Sequence, residues 1–353
     1  MADPVEADGG VGLARPGAGA GVARPGAGAG PLTWGILSTA RIAEEVVPGL
    51  QRLAGGSVTA VASRDKGRAE SFAQRYQLAA AYGSYEALLA DPGVRCVYIC
   101  LPNGLHGEWV MESLTAGKHV LCEKPLTPTE DEARELFDTA AARGLVLAEA
   151  FMYRHHPKTL RLRELVSSGA LGEIRTIRSS FNFTVADPAG DIRYDRLLAG
   201  GSLRDVGSYC VSLANYLAGE QPEELSGTAR YAASGVDGQF YGTMVYPSGT
   251  VSIFDCSMNS ALSTRVSVLG SRGEAVVDMP WYAHLPPATI DVSYADGRGE
   301  QIDAPGDNAY YLEAADFAAV CRGEKGPEIP AEETLRNLRT LQRLARSAER
   351  DQT

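Results

Sequence analysis

The chain has 353 residues, of which 44% are apolar and 22% are charged, a composition typical of a globular protein with room for two domains. Its formal net charge of −11 argues against nucleic-acid binding, which depends on clustered Lys and Arg. No apolar run reaches the roughly 18 residues that a membrane-spanning helix needs, so the sequence also argues against a membrane protein.

Residues 1–31 are predicted to form a flexible tail. The octapeptide ARPGAGAG occurs at 14–21 and again at 23–30, and a Gly/Ala/Pro segment buries too little surface to offset the entropy of ordering. The acidic N-terminus lacks the basic start and apolar core of a secretory signal. The cysteines form no CxxC pair, which is typical of buried, reduced thiols and favours a cytoplasmic protein. They are Cys96, Cys100, Cys122, Cys210, Cys256 and Cys321.

Residues 32–150 alternate between strand-like and helix-like segments. Strands separated by helical segments of 10–16 residues indicate βαβ units and a parallel sheet, so we expect an α/β domain here. Lys124 precedes Pro125, which favours an extended backbone and places this lysine at the carboxyl end of a strand, where ligands bind in open α/β sheets. The strands are predicted at 32–38, 57–63, 94–102, 118–125 and 145–152.

The first strand-to-helix turn, residues 38–43, is the candidate cofactor turn. Dinucleotide-binding turns usually read G-x-G-x-x-G, whereas here Ser38, Ala40 and Ala43 take the three glycine positions. Small residues still allow close approach of a pyrophosphate to the amides at the helix N-terminus. An ordinary small-residue turn is the alternative.

The end of the second strand predicts which dinucleotide binds. An NAD site favours an acidic residue there for the ribose 2′-hydroxyl, whereas this chain has Ser63 followed by Arg64. A hydroxyl beside a fixed guanidinium suits a 2′-phosphate, so we expect NADP(H) rather than NAD(H). A plain surface arginine is the alternative for Arg64.

Five segments together resemble the Gfo/Idh/MocA oxidoreductases: WGILSTARIA, CLPNGLH (100–106), CEKP (122–125), EAFMYRHHP (149–157) and GGSLRDVGSYC (200–210). The resemblance implies a Rossmann domain at 32–150 and an α+β domain at 151–353 with an open, mainly antiparallel sheet. It also implies that the last helix packs back on the Rossmann domain. Homodimers or homotetramers formed through that sheet, and an active-site lysine at Lys124, are expected as well.

The resemblance also completes the predicted cofactor site. The loop from Leu101 to His106 is similar to the family segment near the nicotinamide ribose, and Glu123 belongs to the EKP motif. The predicted cofactor contacts are Ser38, Thr39, Ala40, Arg41, Ile42, Ser63, Arg64, Leu101, Pro102, Asn103, His106, Glu123 and Lys124.

A helix is predicted from Ser202, as its N-terminal cap, to about Leu217. Asp205 and Tyr209 fall on one polar stripe of this helix, with Ser212 and Tyr216 beyond them. Inositol dehydrogenases of the family often have histidine where this chain has Tyr209. The tyrosine is similar to the glucose–fructose oxidoreductase, dihydrodiol dehydrogenase and sugar 3-ketoreductase branches.

Tyr209 is the predicted proton donor or acceptor, and Lys124 the residue that lowers the pKa of its phenol and binds the substrate oxygen. The alternative exchanges these two roles, with Lys124 transferring the proton and Tyr209 binding the substrate oxygen. Asp205 is predicted to bind a substrate hydroxyl or to balance the charge of Lys124.

Further predicted substrate contacts are Tyr153, Arg154, Arg193 and Tyr194, of which the first two pack the domain joint in an alternative interpretation. No metal is expected, because His155 and His156 have no acidic or cysteine ligands close in sequence. The leading hypothesis is an NADP-dependent oxidoreductase of a sugar, cyclic polyol or diol. A nucleotide-sugar 3-ketoreductase, an enzyme that retains its cofactor and a non-catalytic NADP-binding regulator remain as alternatives.

Overall fold

A computed structural model describes residues 31–350, so the predicted tail at 1–31 lies outside the described residues except for Pro31. The first domain is a parallel sheet of six strands in the order β3-β2-β1-β4-β5-β6, the order typical of dinucleotide-binding folds. All six strands are parallel, and the order of strands along the sheet changes direction between β1 and β4, which opens a crevice at their carboxyl ends. The strands are β1 (Leu32–Leu37), β2 (Gly56–Ala62), β3 (Ala80–Tyr82), β4 (Cys96–Ile99), β5 (His119–Glu123) and β6 (Leu147–Ala150).

The expected parallel sheet is confirmed, with one strand more than the sequence predicted. β3 has only three residues and pairs with β2 at the edge of the sheet, too short for a periodic pattern to show. The helices between the strands are α1 (Arg41–Gln51), α2 (Lys66–Tyr76), α3 (Tyr85–Leu89), α4 (His106–Thr115) and α5 (Glu130–Ala142).

The second domain is an open sheet of eight strands, antiparallel except for the parallel pair β7–β10. It confirms the expected mainly antiparallel architecture. In the order in which they neighbour each other, the strands are β14 (Gly299–Asp303), β13 (Thr289–Tyr294), β12 (Gly273–Asp278), β11 (Asn259–Gly270), β7 (Ile174–Thr184), β10 (Val251–Ser257), β9 (Asp237–Val245) and β8 (Glu224–Tyr231).

Helices cover one face of this sheet and connect it to the first domain. The last helix contacts α5, where the guanidinium of Arg339 binds both carboxylate oxygens of Glu130. Another helix of the second domain packs against α1. No helix within residues 31–350 has both the length and the apolar composition to cross a bilayer. The helices are α6 (Pro157–Ser167), α7 (Ser208–Ala218), α8 (Ala309–Cys321) and α9 (Ala331–Arg350).

The buried side chain of Glu149, on β6, ties α9 to the loop that follows β5. Its Oε1 accepts a hydrogen bond from the amide of Leu126 at 3.0 Å, and its Oε2 accepts one from the hydroxyl of Thr334 at 2.8 Å. Burial raises the pKa of Glu149 to about 7, although both hydrogen bonds favour the carboxylate. Glu149 thus holds the loop next to Lys124 in place, and its raised pKa makes the stability of the folded protein depend on pH.

Replacing Glu149 by Gln should remove this pH dependence, because the amide cannot ionise: its oxygen can accept from the amide of Leu126, and its nitrogen can donate to the hydroxyl of Thr334, which then acts as acceptor. The pKa of Glu149 is higher in the folded than in the unfolded protein. The stability linked to this residue is therefore complete below the unfolded-state pKa of about 4.3, and it is lost as the pH rises toward the folded-state pKa. Between these two pKa values, the free energy of unfolding of wild type should fall by up to about 1.4 kcal/mol per pH unit relative to that of Glu149→Gln. Urea unfolding of both proteins near pH 5 and near pH 8 measures the difference between their free energies of unfolding. If this difference is the same at both pH values, Glu149 does not have a raised pKa in the folded protein.

Candidate functional site

The cofactor turn connects β1 to α1 at the open crevice. Ser38 adopts φ of 99°, a backbone that favours glycine, at the position where the usual fingerprint has its first glycine. Helix α1 starts at Arg41, and the N-cap residue Ala40 provides no side-chain hydrogen bond to its first amides. The turn therefore presents the uncapped, positive end of a helix to the crevice, as a pyrophosphate site requires.

Ser63 and Arg64 follow β2 at the same edge of the sheet. Ser63 is nearly buried and its hydroxyl accepts a hydrogen bond from the amide of Asp65, whereas Arg64 is exposed beside the phenol of Tyr85. Arg68, which sequence reasoning missed, lines an open cleft together with Thr39 and Asp65. The sequence could have indicated Arg68, since this arginine lies in the first turn of α2, close to the predicted 2′-phosphate position.

The loop after β4 contacts a segment of the second domain. The side-chain amide of Asn103 donates to the carbonyl of Ala199 at 3.1 Å, and the amide of Gly104 donates to the carbonyl of Leu198 at 2.9 Å. Residues 195–201 thus form a strap across Asn103. Leu101 is buried and Pro102 is half-buried at the start of this loop.

His106 requires a correction, because the structure does not offer it to a cofactor. The ring is 1% exposed, and its nitrogens lie 2.8 Å from the carbonyl oxygens of Pro125 and Leu101. Burial lowers the pKa of His106, against the effect of these two carbonyls. The residue fastens the loop after β4 to the loop after β5, a role that its position in a motif did not indicate.

Lys124 meets Asp205 where the two domains face each other. Its ammonium donates to the backbone oxygen of Asp205 at 2.7 Å and to the carboxylate Oδ1 at 3.1 Å. The other carboxylate oxygen accepts from Nε of Arg193 at 3.0 Å. The side chains of Lys124 and Asp205 are only 11% and 16% exposed. Burial opposes charge on Asp205, yet the two cations outweigh it and lower the pKa of Asp205.

Glu123 lies behind this pair. Its carboxylate accepts from the hydroxyl of Tyr98 and from the amide of Lys124. Burial raises the pKa of Glu123 in spite of the nearby ammonium. The carboxylate therefore fixes the backbone of Lys124 from within the first domain.

Tyr209 lies beside Lys124, with the ammonium 5.1 Å from the centre of its ring and the hydroxyl 3.6 Å from Sδ of Met152. The expectation that Lys124 lowers the pKa of this phenol is wrong for this structure. Burial, followed by the charge of Glu123, raises the pKa of Tyr209 well above its usual value of 10. The phenol is therefore neutral and carries a proton that it can donate.

The helix that carries Tyr209 begins differently from the prediction. Residues Leu203–Gly207 form a π-helical turn that leads into α7, and Ser202 does not cap it. Instead, Oδ2 of Asp237 accepts hydrogen bonds from the hydroxyl of Ser202 and the amide of Leu203, at 2.7 and 2.6 Å. A carboxylate from a distant strand thus takes the place of the predicted cap and positions the turn that contains Asp205.

The predictions that Tyr153 and Arg154 contact substrate are also corrected. Both side chains are fully buried. The hydroxyl of Tyr153 donates to Ser212 at 2.9 Å, and the guanidinium of Arg154 binds Glu333 while it lies 3.5 Å from the ring centre of Tyr216. They pack the joint between the domains, the alternative that the sequence left open.

Arg193 and Tyr194 lie nearer the opening. Arg193 bridges the carboxylates of Asp191 and Asp205 and has a partly exposed side chain, so it is positioned to reach a bound molecule. The hydroxyl of Tyr194 donates to the carbonyl of Met258 at 3.2 Å. Of this predicted pair, Arg193 thus has the more direct link to Asp205.

Tyr282 is a site residue that sequence reasoning missed. It follows Trp281, whose indole donates to the carbonyl of Ser180 at 2.9 Å and stacks on Phe181. Tyr282 packs edge-on against the same Phe181, at 5.9 Å between ring centres. Burial raises the pKa of Tyr282, and the charges of Asp205, Arg41 and Arg193 also act on its phenol, so these three side chains lie in its neighbourhood. No sequence pattern marked this loop.

Within residues 31–350, no three His, Cys, Asp or Glu side chains are grouped as metal ligands. His155 lies 3.7 Å from Asp316, whereas His156 caps α6, so the two adjacent histidines take part in different contacts. The donor set at Lys124 is cationic and phenolic, which suits an oxygen-bearing organic substrate rather than a metal ion.

Comparison with known proteins assigns the family. Residues 32–151 match the oxidoreductase family with an NAD-binding Rossmann fold, and residues 159–276 match the GFO/IDH/MocA C-terminal domain. The chain is 39% identical to D-xylose 1-dehydrogenase (NADP(+)) 2 of Haloferax volcanii, over 90% of this chain and 98% of that protein. It is 38% identical to trans-1,2-dihydrobenzene-1,2-diol dehydrogenase of Sus scrofa, over 71% and 75%.

Solved structures give the same result. A 3-ketoreductase from Actinomadura kijaniata, in complex with NADP and TDP-benzene, superposes with a TM-score of 0.83 at 31% identity, covering 90% of this chain and 98% of that one. The order of motifs, the two-domain architecture and these matches agree. The chain belongs to the Gfo/Idh/MocA family of oxidoreductases.

Proposed function

We propose that the protein transfers a hydride between NADP(H) and a secondary alcohol, ketone or hemiacetal carbon of a sugar, cyclic polyol or diol. The observation that carries this proposal is the Lys124–Asp205 pair, which stands with Tyr209 at the carboxyl edge of the dinucleotide-binding sheet. An ammonium held by a second domain, next to a protonated phenol, matches what an alcohol or carbonyl oxygen requires.

The residues around the crevice fit NADP. The uncapped start of α1, with Ser38 in a glycine-like backbone, would hold the pyrophosphate, and Ser63 and Arg64 would hold the 2′-phosphate. Bound there, NADP supplies the carbon that accepts or gives the hydride. The protein supplies orientation and the proton.

Lys124 binds and orients the substrate oxygen, because its ammonium is fixed by Asp205 and keeps a third N–H free to donate. Tyr209 acts as proton donor when a carbonyl is reduced, since burial keeps its phenol protonated. In the opposite direction the phenolate form of Tyr209, which is the form that proton donation leaves behind, takes up the proton of the alcohol while Lys124 holds the alcohol oxygen. Asp205 holds the ammonium in place through two hydrogen bonds.

The choice of substrate rests on the relatives. The match to a D-xylose dehydrogenase supports an aldose, and the match to a dihydrodiol dehydrogenase supports a cyclic diol. A nucleotide-sugar 3-ketoreductase is the second candidate, because the Actinomadura kijaniata structure superposes over nearly the whole chain. The presence of Lys124, Asp205 and Tyr209 together favours each of these enzymes over a non-catalytic regulator.

A homodimer formed through the open face of the second sheet is a further part of the proposal. Tyr241 and Ile253 are 45% and 46% exposed there. Ile253 pairs with Arg178, and Arg265 pairs with Asp278, so both charge signs flank the apolar residues. A face with mixed charges around an apolar centre can pair with a second copy of itself across a twofold axis. We also propose a cytoplasmic location, because all six cysteines are free and buried.

Replacing Tyr209 by Phe should reduce turnover by about 10²–10⁴-fold and leave NADP binding nearly unchanged, because only the transferable proton is lost. The assay follows NADPH absorbance with aldoses, inositols, trans-dihydrodiols and 3-keto nucleotide sugars. Tyr153→Phe is the matched control, since it removes a hydroxyl from the same aromatic cluster without touching Lys124, and it should keep its activity. Wild-type turnover in Tyr209→Phe would refute the assignment. No turnover of any substrate by wild type, with NADP still bound tightly, would favour the regulator.

Replacing Arg64 by Leu should weaken NADP binding by about 10–100-fold, because a charge-assisted hydrogen bond contributes about 1.5–3 kcal/mol. NAD, which lacks the 2′-phosphate, serves as the matched ligand, and its affinity should change little. Titrations followed by protein fluorescence measure both constants. An equal loss for NADP and NAD would show that Arg64 does not read the 2′-phosphate.

Replacing Ile253 by Arg should convert the proposed dimer into a monomer, because it places a second cation beside Arg178 at the centre of the open face. Sedimentation velocity of wild type and variant provides the test. Leu160→Arg, at an exposed position on α6, is the control and should leave the dimer intact. A wild-type monomer, or a dimer that survives Ile253→Arg, would contradict this interface.

A further inference from the structure

The strap formed by residues 195–201 of the second domain is fastened to the loop that follows β4. The side-chain amide of Asn103 donates to the carbonyl of Ala199 at 3.1 Å, and the backbone amide of Gly104 donates to the carbonyl of Leu198 at 2.9 Å. A Cβ on Gly104 would lie 3.0 Å from the backbone of the strap, so the two segments are in close contact. Two hydrogen bonds therefore hold the strap, and one of them needs the side chain of Asn103.

The loop after β4 is itself fixed by hydrogen bonds. Asn103 begins a 3₁₀ turn, in which the amide of Leu105 donates to the carbonyl of Pro102 at 2.8 Å. The next residue is the buried His106, which connects this turn with the loop after β5 that carries Lys124. A strap bound to Asn103 is therefore positioned by the same part of the first domain that holds the ammonium of Lys124.

The strap is also bonded to the segment that carries Arg193. The amide of Gly201 donates to the carbonyl of Arg193, and the amide of Gly200 donates to the carbonyl of Asp195, both at 2.9 Å. A Cβ on Gly200 would lie 2.3 Å from the carbonyl oxygen of Arg193, so the strap folds directly onto the backbone of this arginine. A movement of the strap therefore moves Arg193 as well.

The guanidinium of Arg193 binds two carboxylates and keeps one nitrogen available. Its Nε donates to Oδ2 of Asp205 at 3.0 Å, and its Nη1 donates to both carboxylate oxygens of Asp191 at 3.3 Å. Nη2 takes part in neither contact, and the side chain is 41% exposed. Lys124 donates to the other oxygen of the same Asp205 carboxylate. The N–H groups of Nη2 can thus reach a hydroxyl next to the substrate oxygen that Lys124 holds.

We propose that Asn103 is a positioning residue, which acts through the strap to hold Arg193 where it binds the substrate hydroxyl next to the reacting oxygen. The part that concerns substrate rests on the proposed function, whereas the part that concerns the strap does not. The family resemblance assigned Asn103 to the cofactor, yet its side-chain amide donates to the strap. Loss of this hydrogen bond should therefore weaken substrate binding and leave NADP binding nearly unchanged.

Trypsin cleavage tests the contact between Asn103 and the strap without any need for activity. Arg196 and Leu197 are exposed, the latter at 92%, so the bond between them is a trypsin site on the strap. Asn103→Ala should be cut there about threefold faster or more, because the strap opens more often when one of its two hydrogen bonds is lost. Mass spectrometry of the fragments measures this rate. The matched control Gln301→Ala removes a side-chain amide that donates one hydrogen bond on edge strand β14, and it should be cut at the wild-type rate.

Steady-state kinetics at saturating cofactor test the link to Arg193. Asn103→Ala should raise KM for the substrate by about 3–10-fold and change kcat less, because a bond that positions a binding group is weakened. The Kd of NADP should stay near that of wild type. Arg193→Met should raise KM at least as much. The double variant should have the KM of Arg193→Met alone, since two residues that act through one contact are not additive.

Unchanged cleavage after Arg196 in Asn103→Ala would overturn the proposal. So would a Kd of NADP that rises as much as the KM for substrate, because Asn103 would then contact the cofactor. Additive effects in the double variant would show that Asn103 does not act through Arg193. If wild type turns over none of the substrates, the proposed function and the role of Arg193 in it fail together, whereas the cleavage rate still decides whether Asn103 holds the strap.

Discussion

The ion pair between Lys124 and Asp205 is the interaction on which the rest of the site depends. Lys124 belongs to the first domain and Asp205 to the second, so the pair exists only when both domains are folded against each other. Removing two charges from water costs several kcal/mol per ion, and such pairs are weak sources of stability. Their value here is geometric, because the pair points an ammonium N–H at one place in the crevice.

Several buried residues hold the two ends of this pair. On the first domain, His106 clamps the loop after β5 and Glu149 anchors it from below. On the second domain, Asp237 caps the π-helical turn that contains Asp205. Gly201 packs closely on this cap, because a Cβ at Gly201 would come within 2.2 Å of the Asp237 carboxylate. The geometry of the Lys124–Asp205 pair thus depends on buried side chains outside the pair itself. A site held within a fraction of an ångström needs such supporting contacts.

Much of the fold followed from sequence, because β-branched strands alternating with amphipathic helices specify a parallel sheet locally. The three-residue β3 was not predicted, because the alternation of buried and exposed residues in a strand cannot be recognised over so few positions. The Ser202 cap was a reasonable local prediction, but Asp237 from a strand 35 positions later outcompeted it. The burial of Arg154 and the pairing of Arg154 with Glu333 are also long-range, at 179 positions of separation. Propensity and spacing describe neighbours along the chain, and these contacts are between neighbours only in space.

The candidate site shows the same division. The motifs located Lys124, Asp205 and Tyr209, yet the raised pKa of Tyr209 arises from burial that no motif encodes. Tyr282 was missed because its loop owes its place to the anchoring of Trp281 on Phe181 and Ser180. Sequence thus identified the chemical groups, whereas packing decides their protonation and which of them reach the crevice.

The rate of hydride transfer in Lys124→Met, followed by NADPH absorbance with the substrate that wild type turns over fastest, tests the central claim most directly. We expect a loss of about 10²-fold or more, since the ammonium that orients the oxygen is gone while a methionine of similar length preserves the packing. Circular dichroism checks that the variant is folded, and the exposed Lys66→Met should react at the wild-type rate. A folded Lys124→Met enzyme with wild-type turnover would contradict the account.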